Sequence, residues 1–462
     1  MPTFSIADLK PGAEVHMIGI GGISMSALAE ILLYFGYHVT GSDMQASALT
    51  EKLQQNGAQI TIGQRAENIR QPDLVCYTAA ISEQNPELQA ARAAGVPVIE
   101  RAELLGAIME KYQYPIAVAG THGKTTTTSM LALALLAADT DPTVLVGGCL
   151  PQIGGNYRIG GNVYLPFEAC EYVESFLHFK PYVSIITNVE EDHLDYFTNL
   201  NHIISSFGKF ASLTSPSGCI IVCSDDENAC KVVQNVQRNI IYYGIDSPKA
   251  DFTAQKILTD RNGLPSFTVC KGGMPLVDLS LRVAGRHNIL NALAVTAAAD
   301  FLNLDLAAVK RGLEQFQGTQ RRFDRLGTAE AGFEVVDDYA HHPTEIRATL
   351  ETAKSMPYNS VWVVFQPHTY SRTKALLDEF PAALELADHV LITDVYPARE
   401  AYDGTIHACD LAMKIPGSVY MNDKKAIERY LQSHAKAGDL VITMGAGDVW
   451  QIGYALAGKK SE

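Results

Sequence analysis

Tyr114-Pro-Ile-Ala-Val-Ala-Gly120-Thr121-His122-Gly123-Lys124-Thr125-Thr126 is the stretch on which the reading of this chain turns. Six apolar residues with the pattern of a strand run directly into a glycine turn. A helix-like segment from Thr125 to Ala138 follows. A glycine loop between strand and helix is the setting in which such a motif binds phosphate. Glycines let backbone N–H groups turn inward, and the helix N-terminus adds its positive end. Lys124 is placed to reach the outer phosphates of a nucleoside triphosphate, and Thr125 to put its hydroxyl on Mg²⁺. Val118 stands where the commoner form of this loop has its first glycine, so the loop is a shortened variant.

Upstream, a strand at 15–20 meets Gly19-Ile-Gly21-Gly22-Ile-Ser24 and then a helical stretch to Phe35, a second glycine turn of the same kind. Asp43, after a strand at 37–40, stands about where an acid would hold a ribose. Two phosphate-binding loops in one chain imply two phosphorylated ligands, ATP and a nucleotide-linked substrate. Apolar runs at 74–77 and 96–99 continue the alternation of strand and helix, which predicts a parallel sheet. Downstream of the loop, strands are expected at 163–167, 183–187, 220–223 and 240–243, then antiparallel strands over 251–283 at a sheet edge. A helix from Asn288 leads to a polar linker, Gln317-Gly-Thr-Gln-Arg-Arg322, and a third alternating segment has strands at 334–336, 361–365, 390–393 and 440–444. The fold class is α/β in three domains: a Rossmann-like N-terminal domain (1–107), a central P-loop ATPase-type domain with an antiparallel edge (108–320), and a Rossmann-like C-terminal domain (321–462). A chain of 462 residues is long enough for about three cores.

The formal net charge of −15 gives no overall attraction to nucleic acid or anionic membrane. No run of about 18 apolar residues predicts a membrane span. The opening residues lack the basic and apolar regions of a signal peptide. Eight cysteines lie scattered through apolar stretches, and the closest group, Cys219, Cys223 and Cys230, has no fourth ligand at zinc spacing. A reducing, cytoplasmic setting is expected. Monomer and homodimer both stay open.

Mg·ATP chemistry needs a carboxylate at a strand end beside the loop. Glu168 is the first candidate and Glu171 the second. Asn188-Val-Glu-Glu-Asp-His193 follows the next strand, and His193 is a candidate for a second ion. Gly285-Arg-His287-Asn288-Ile-Leu-Asn291 opens a helix with amide and ring groups suited to a base or ribose, or simply to capping. In the third segment Asp337-Asp338-Tyr-Ala-His341-His-Pro-Thr-Glu and Phe365-Gln-Pro-His368-Thr-Tyr-Ser-Arg372 both follow apolar strands. Arg372 has the planar fork that grips a carboxylate. Gly445-Ala-Gly-Asp448 reads equally as a ligand-facing turn or a plain connection.

These motifs, with Arg321-Arg-Phe, stand in the order found in the Mur ligases of peptidoglycan synthesis, and the chain resembles that family over nearly its whole length. The His-His-Pro-Thr-Glu and Phe-Gln-Pro-His stretches point to its alanine-adding member. The resemblance implies that ATP phosphorylates the carboxylate of UDP-N-acetylmuramate and that the amine of L-alanine then displaces phosphate. It implies roles for Gly120, Thr121, His122, Gly123, Lys124, Thr125 and Thr126 in holding ATP, with Thr125 and Glu168 on a first Mg²⁺ and His193 on a second. Asn288 and Asn291 would face the adenine, and Arg322 and Asp338 would reach ATP from the third domain. Arg372, with His341 nearby, would take the alanine carboxylate. Gly19, Gly21, Gly22, Ser42, Asp43 and Thr78 would contact the UDP-sugar.

The chain departs from the family pattern after Glu168, where Cys170 and Val173 replace acids, and at Thr369, where many alanine-adding relatives have arginine. Phe207 stands where several relatives carry a carbamylated lysine, so that modification is not expected. A recycling ligase that adds a tripeptide to the same sugar nucleotide shares almost every motif. From other classes, an NAD-dependent oxidoreductase leaves Lys124 and Thr125 without a role, and a P-loop ATP-binding module would hydrolyse ATP without either substrate.

Overall fold

The computed structural model describes residues 4–78, 80–402 and 404–459. Three sheets carry the chain. The first is wholly parallel: β1 (Glu14–Ile18), β2 (His38–Asp43), β3 (Gln59–Ile62), β4 (Leu74–Tyr77) and β5 (Val98–Glu100), in the order β3-β2-β1-β4-β5. The glycine turn after β1 sits beside the point where strand order reverses, which is where open α/β sheets bind ligands.

The second sheet has ten strands: β6 (Tyr114–Ala119), β7 (Val144–Leu150), β8 (Gly155–Arg158), β9 (Tyr164–Glu168), β10 (Val183–Ile186), β11 (Cys219–Cys223), β12 (Ile240–Gly244), β13 (Phe252–Thr259), β14 (Pro265–Lys271) and β15 (Met274–Ser280). Their order is β15-β14-β13-β12-β11-β10-β6-β9-β7-β8. The strands at its centre are parallel, and every residue of β10 and β11 is buried. Continuous apolar strands of this kind need cover on both faces. The helix Lys124–Ala137 supplies part of it with an unbroken buried run, Met130 to Leu135. The helix Arg286–Phe301 packs beside it, and its alanines at 292, 294 and 297–299 allow close approach. Antiparallel pairs occur at both edges, β13-β14-β15 and β7-β8, where the sequence suggested one. The β7–β8 hairpin escapes a periodicity reading because Gly147, Gly148, Gly154 and Gly155 break its pattern.

The third sheet contains β16 (Asp324–Thr328), β17 (Glu334–Asp338), β18 (Val361–Phe365), β19 (His389–Ile392), β20 (Val419–Tyr420) and β21 (Leu440–Met444), in the order β16-β17-β21-β18-β19-β20. It is parallel except for β16, which adds antiparallel to β17 directly after the linker. One apolar cluster runs from the first sheet into the second, joining Leu104 and Ala107 to Phe176, Phe179, Phe207 and Phe210. The Phe176 and Phe210 rings stack at 4.8 Å. Each such ring contributes about 2–3 kcal/mol by leaving water. Phe207 is therefore packed in a core and is no candidate for modification. All eight cysteines are unpaired, with Cys219 and Cys223 buried in β11. Among the described residues no helix is long and apolar enough to cross a membrane.

Candidate active site

Gly120 follows β6 with φ +140°, and Gly123 takes φ +81° just before the helix. L side chains rarely adopt either conformation. A Cβ at Gly120 would also penetrate Thr187 Oγ1. Gly120→Ala should therefore cost about 3 kcal/mol or more from strain and overlap together, seen as a lower denaturant midpoint with weaker ATP binding. An unchanged midpoint would show the loop to be more pliable than its geometry. Asn188 braces the loop from the next strand end, accepting from the His122 N–H at 2.8 Å and donating to the His122 carbonyl at 3.1 Å.

Lys124 Nζ lies under this loop, 2.5 Å from the Gly120 carbonyl, 3.1 Å from that of Thr121 and 2.9 Å from the Glu171 carboxylate. Burial works against its charge, but Glu171 outweighs it and the pKa is raised. Thr125 Oγ1 is 3.2 Å from Glu168 Oε2, and Glu168 Oε1 accepts from the Gly147 N–H at 2.5 Å. Burial raises the Glu168 pKa, against the pull of those donors and of Lys124. A hydroxyl and a carboxylate at this spacing are hard oxygen donors that fit Mg²⁺, whose neighbouring ligands lie about 3 Å apart. His193 Nε2 is 3.9 Å from Glu171 and 3.8 Å from Asp192, so it suits an ion other than the one beside Glu168. Glu171 is the partner of Lys124 and not of Thr125.

A cavity of about 1000 Å³ opens between the second and third sheets, lined by the loop, His287, Asn288, Asn291, Arg322 and Asp338. That volume suits a nucleotide. Asn288 and Asn291 sit in its wall but are already bonded: Asn291 accepts from Thr127 at 3.0 Å and donates to Asn288 at 3.1 Å, and Asn288 donates to the Ala284 carbonyl at 2.6 Å. They lock the two central helices together, a task a helical reading of one face does not reveal. His287, beside them, is a neutral ring, lowered to about 4 by burial and by Arg322.

Arg322 stacks over Tyr339 with 5.0 Å to the ring centroid and lies 3.5 Å from Glu345. The two Asp338 oxygens accept from the Phe323 N–H, just after the linker, and from the Ala340 N–H, just after β17, at 2.8 Å each. Asp338 thus braces the wall of the cavity as well as facing it. Burial, opposed by Arg322, raises its pKa to about 6. Because the carboxylate is the form that accepts both N–H groups, kcat/KM for ATP should fall as pH drops through about 6. In Asp338→Asn that acid limb should disappear, and a limb that survives would assign it to another group. The stability effect has the opposite sign: a raised carboxyl pKa penalises the fold above about pH 6 and not below the unfolded value near 3.8.

On the far side, Arg372 reaches from the third sheet to the loop after β10. Its Nε and Nη2 lie 3.1 and 2.6 Å from Asp192 Oδ1, and its Nη1 3.1 Å from His368 Nδ1. The His341 and His368 rings meet edge to face at 5.7 Å. Burial and the Arg372 charge lower His341 to about 4, and burial with His341 and Arg372 lowers His368 likewise, so both are neutral near pH 7. Asp192 is buried too, yet His193 and Arg372 hold its pKa far below the ordinary value. Thr369 caps the helix that carries Arg372, in a left-handed backbone conformation with φ 63°. Gly445 and Asp448 form a structural connection: the Gly445 carbonyl takes Arg321 at 2.7 Å, and Asp448 takes Lys424 at 2.5 Å.

In the first sheet, Gly19 and Gly22 turn around the N-terminus of the helix Ile23–Tyr34, with Thr78 beside Gly19. The Gly21 N–H donates to Asp43 Oδ2 at 2.9 Å, so Asp43 closes this turn. Ser42 must be corrected. Its side chain is fully buried and donates to Glu87 Oε2 at 2.5 Å, because β2 continues through Asp43 and turns Ser42 inward.

Three family descriptions match successive parts of the chain: the Mur ligase family catalytic domain at residues 14–113, the Mur ligase middle domain at 118–299, and the Mur ligase glutamate ligase domain at 321–447. This chain belongs to the Mur ligase family. A curated relative from Acetivibrio thermocellus, named UDP-N-acetylmuramate–L-alanine ligase, is 50% identical over 98% of this chain and 97% of its own length. Another of that name from Alkaliphilus metalliredigens is 50% identical over 97% of both. Among solved structures, the UDP-N-acetylmuramate–alanine ligase of Thermotoga maritima superposes with a TM-score of 0.78 at 32% identity, covering 96% of this chain and 98% of that one. The murein peptide ligase of Psychrobacter arcticus gives 0.72 at 27%, covering 98% and 100%.

In this Mur ligase the residues that a motif reading passed over are Glu190, Asp192 and Glu345. Glu190 and Asp192 sit in a run of acids with nothing local to rank one above another, and Glu345 opens a helix where an acid in the first turn is ordinary. What distinguishes them is the partner brought by another sheet: Thr344, Arg372 and His122 respectively.

Proposed function

We propose that this chain joins L-alanine to the carboxylate of UDP-N-acetylmuramate in the cytoplasm, with ATP cleaved to ADP and phosphate. The observation that carries this is the convergence of Lys124, Thr125 and Glu168 at one sheet edge, facing Arg372 and His341 from another. Half-identical relatives along nearly the full chain bear that name. Residues 1–107, 108–320 and 321–462 are its working units, for the sugar nucleotide, for ATP, and for closure over both.

A muramyl carboxylate oxygen attacks the γ-phosphorus, and the bond from phosphorus to ADP breaks. Lys124 stays charged throughout, so its ammonium meets the growing negative charge on the transferring group without rearrangement. Thr125 and Glu168 would hold Mg²⁺, with His193 on a second ion; bound there, Mg²⁺ withdraws charge from the phosphate oxygens. The alanine amine then attacks the acyl carbon and phosphate leaves with the bridging oxygen. Arg372 grips the alanine carboxylate beside the neutral rings of His341 and His368, in a region where Asp192 competes for the same fork.

The test is phosphate release from Mg·ATP with the sugar nucleotide and single amino acids. Release should require UDP-N-acetylmuramate and be greatest with L-alanine. Response to a tripeptide alone would identify a recycling ligase, and release without the sugar an uncoupled ATPase.

A further inference from the structure

His122 lies in the phosphate loop, but its side chain turns toward the third sheet. Its ring meets that of His342 with centroids 4.8 Å apart. Between them stands Glu190, from the loop after β10. Its Oε2 lies 3.3 Å from His122 Nε2 and 3.7 Å from His342 Nδ1. The three ligand atoms fall within 4.8 Å of one another. Two ligands that share a tetrahedral ion at about 2.1 Å stand about 3.4 Å apart, close to the 3.3 and 3.7 Å that separate Glu190 from the two rings.

The outward nitrogens of both rings are also spoken for. His122 Nδ1 is 3.1 Å from Glu345 Oε1, and His342 Nε2 is 3.1 Å from the Glu191 carbonyl. A carbonyl only accepts, so the neutral His342 ring carries its proton on Nε2 and keeps a lone pair on Nδ1. That lone pair takes one long contact, 3.3 Å from the Thr344 N–H. A carboxylate on one ring and a carbonyl on the other are the supports that orient histidines toward metal ions. Thr344 Oγ1 fixes Glu190 Oε2 from the side at 2.7 Å. The histidines are nearly enclosed, while Glu190, with 30% of its side chain exposed, leaves a path to solvent.

We propose that His122, Glu190 and His342 form a site for a divalent transition-metal ion of the zinc class, tying the phosphate loop to the third domain. Two imidazoles and one carboxylate favour zinc, cobalt or nickel, whereas the oxygen pair Thr125 and Glu168 favours magnesium. Two of the three ligands come from the central domain and one from the third, so the ion would hold these two domains together. Burial lowers the His122 pKa, but Glu345 and Glu190 outweigh it and raise it to about 9. An incoming ion therefore displaces a proton shared with Glu190.

The test is a titration of the full chain with Co²⁺ in excess Mg²⁺, read by visible absorption, with thermal melts in the presence of Zn²⁺. One Co²⁺ per chain should give the d–d bands of a nitrogen–oxygen site, and Zn²⁺ should raise Tm. His342→Gln and Glu190→Gln should each weaken binding by about 100-fold or more and abolish the Tm rise. Glu190 is part-exposed, so its variant serves even where His342→Gln fails to fold. Glu168→Gln, at the proposed magnesium site, should keep the bands. Absence of bands in the unaltered chain would overturn the site. So would bands that survive both ligand variants, bands lost in Glu168→Gln, or the intense sulfur-to-cobalt absorption of a cysteine site.

Discussion

Lys124→Ala should lower kcat for phosphate release by about 10²–10³-fold, equivalent to about 3–4 kcal/mol of transition-state stabilisation. The ammonium is anchored by two loop carbonyls and by Glu171, so it needs no reorganisation when charge builds on the transferring phosphoryl group. Lys124→Arg should recover little, because a longer planar fork does not fit among those carbonyls. Removing Lys124 leaves Glu171, with only 4% of its side chain exposed, without its cation. Lys124→Ala combined with Glu171→Gln therefore separates lost catalysis from lost folding. Stability should return in the double variant while kcat stays low. Activity within tenfold of the unaltered enzyme in that variant would remove Lys124 from the chemistry.

For Arg372→Ala the expected loss is about 10²–10³-fold in kcat/KM for L-alanine, with KM for ATP little changed. The guanidinium joins the third sheet to Asp192, and only 11% of its side chain is exposed, so its truncation strands a buried carboxylate. Removing one member of a buried pair costs about 3–5 kcal/mol, part of it as instability and part as an amino-acid site that no longer closes. Arg372→Ala with Asp192→Asn should regain stability without regaining affinity for alanine. Steady-state kinetics with alanine as the varied substrate decides the matter. An unchanged KM for alanine would move the carboxylate site elsewhere, with His341 and His368 as the remaining donors.

Much of the fold was legible because long buried strands announce themselves. The runs at 183–186, 219–223, 361–365 and 440–444 are buried throughout and apolar except for Ser184 and Thr443, as suits central parallel strands. Some edge strands were not legible. β3, with the sequence Gln-Ile-Thr-Ile, is mostly exposed, and β20 has only two residues. Such strands exist because a neighbour offers hydrogen bonds, and nothing in their own pattern requires it. Lys124, Thr125 and Glu168 stood out in the sequence because each adjoins a strand end in its own sheet, and the structure brings these ends together. Asn288 and Asn291 line the cavity, but their amides are bonded to each other and to Thr127, which their helical spacing did not reveal. Ser42 was misread because β2 runs on to Asp43, three residues past the expected strand end, and the ladder turns the Ser42 side chain inward.

The sequence by itself determined the phosphate loop, the alternation that builds three sheets, and the chemistry available at each strand end. These follow from local rules: side-chain period, glycine backbone freedom, and the reach of a lysine from a helix start. Only the tertiary structure decided which of the crowded acids matter. Arg372 selects Asp192, Lys124 selects Glu171, and His122 meets Glu190 within its own domain and Glu345 across a domain boundary. The reason is electrostatic and geometric. A carboxylate in a run of carboxylates has no identity until burial removes its water and a cation from a distant strand replaces it.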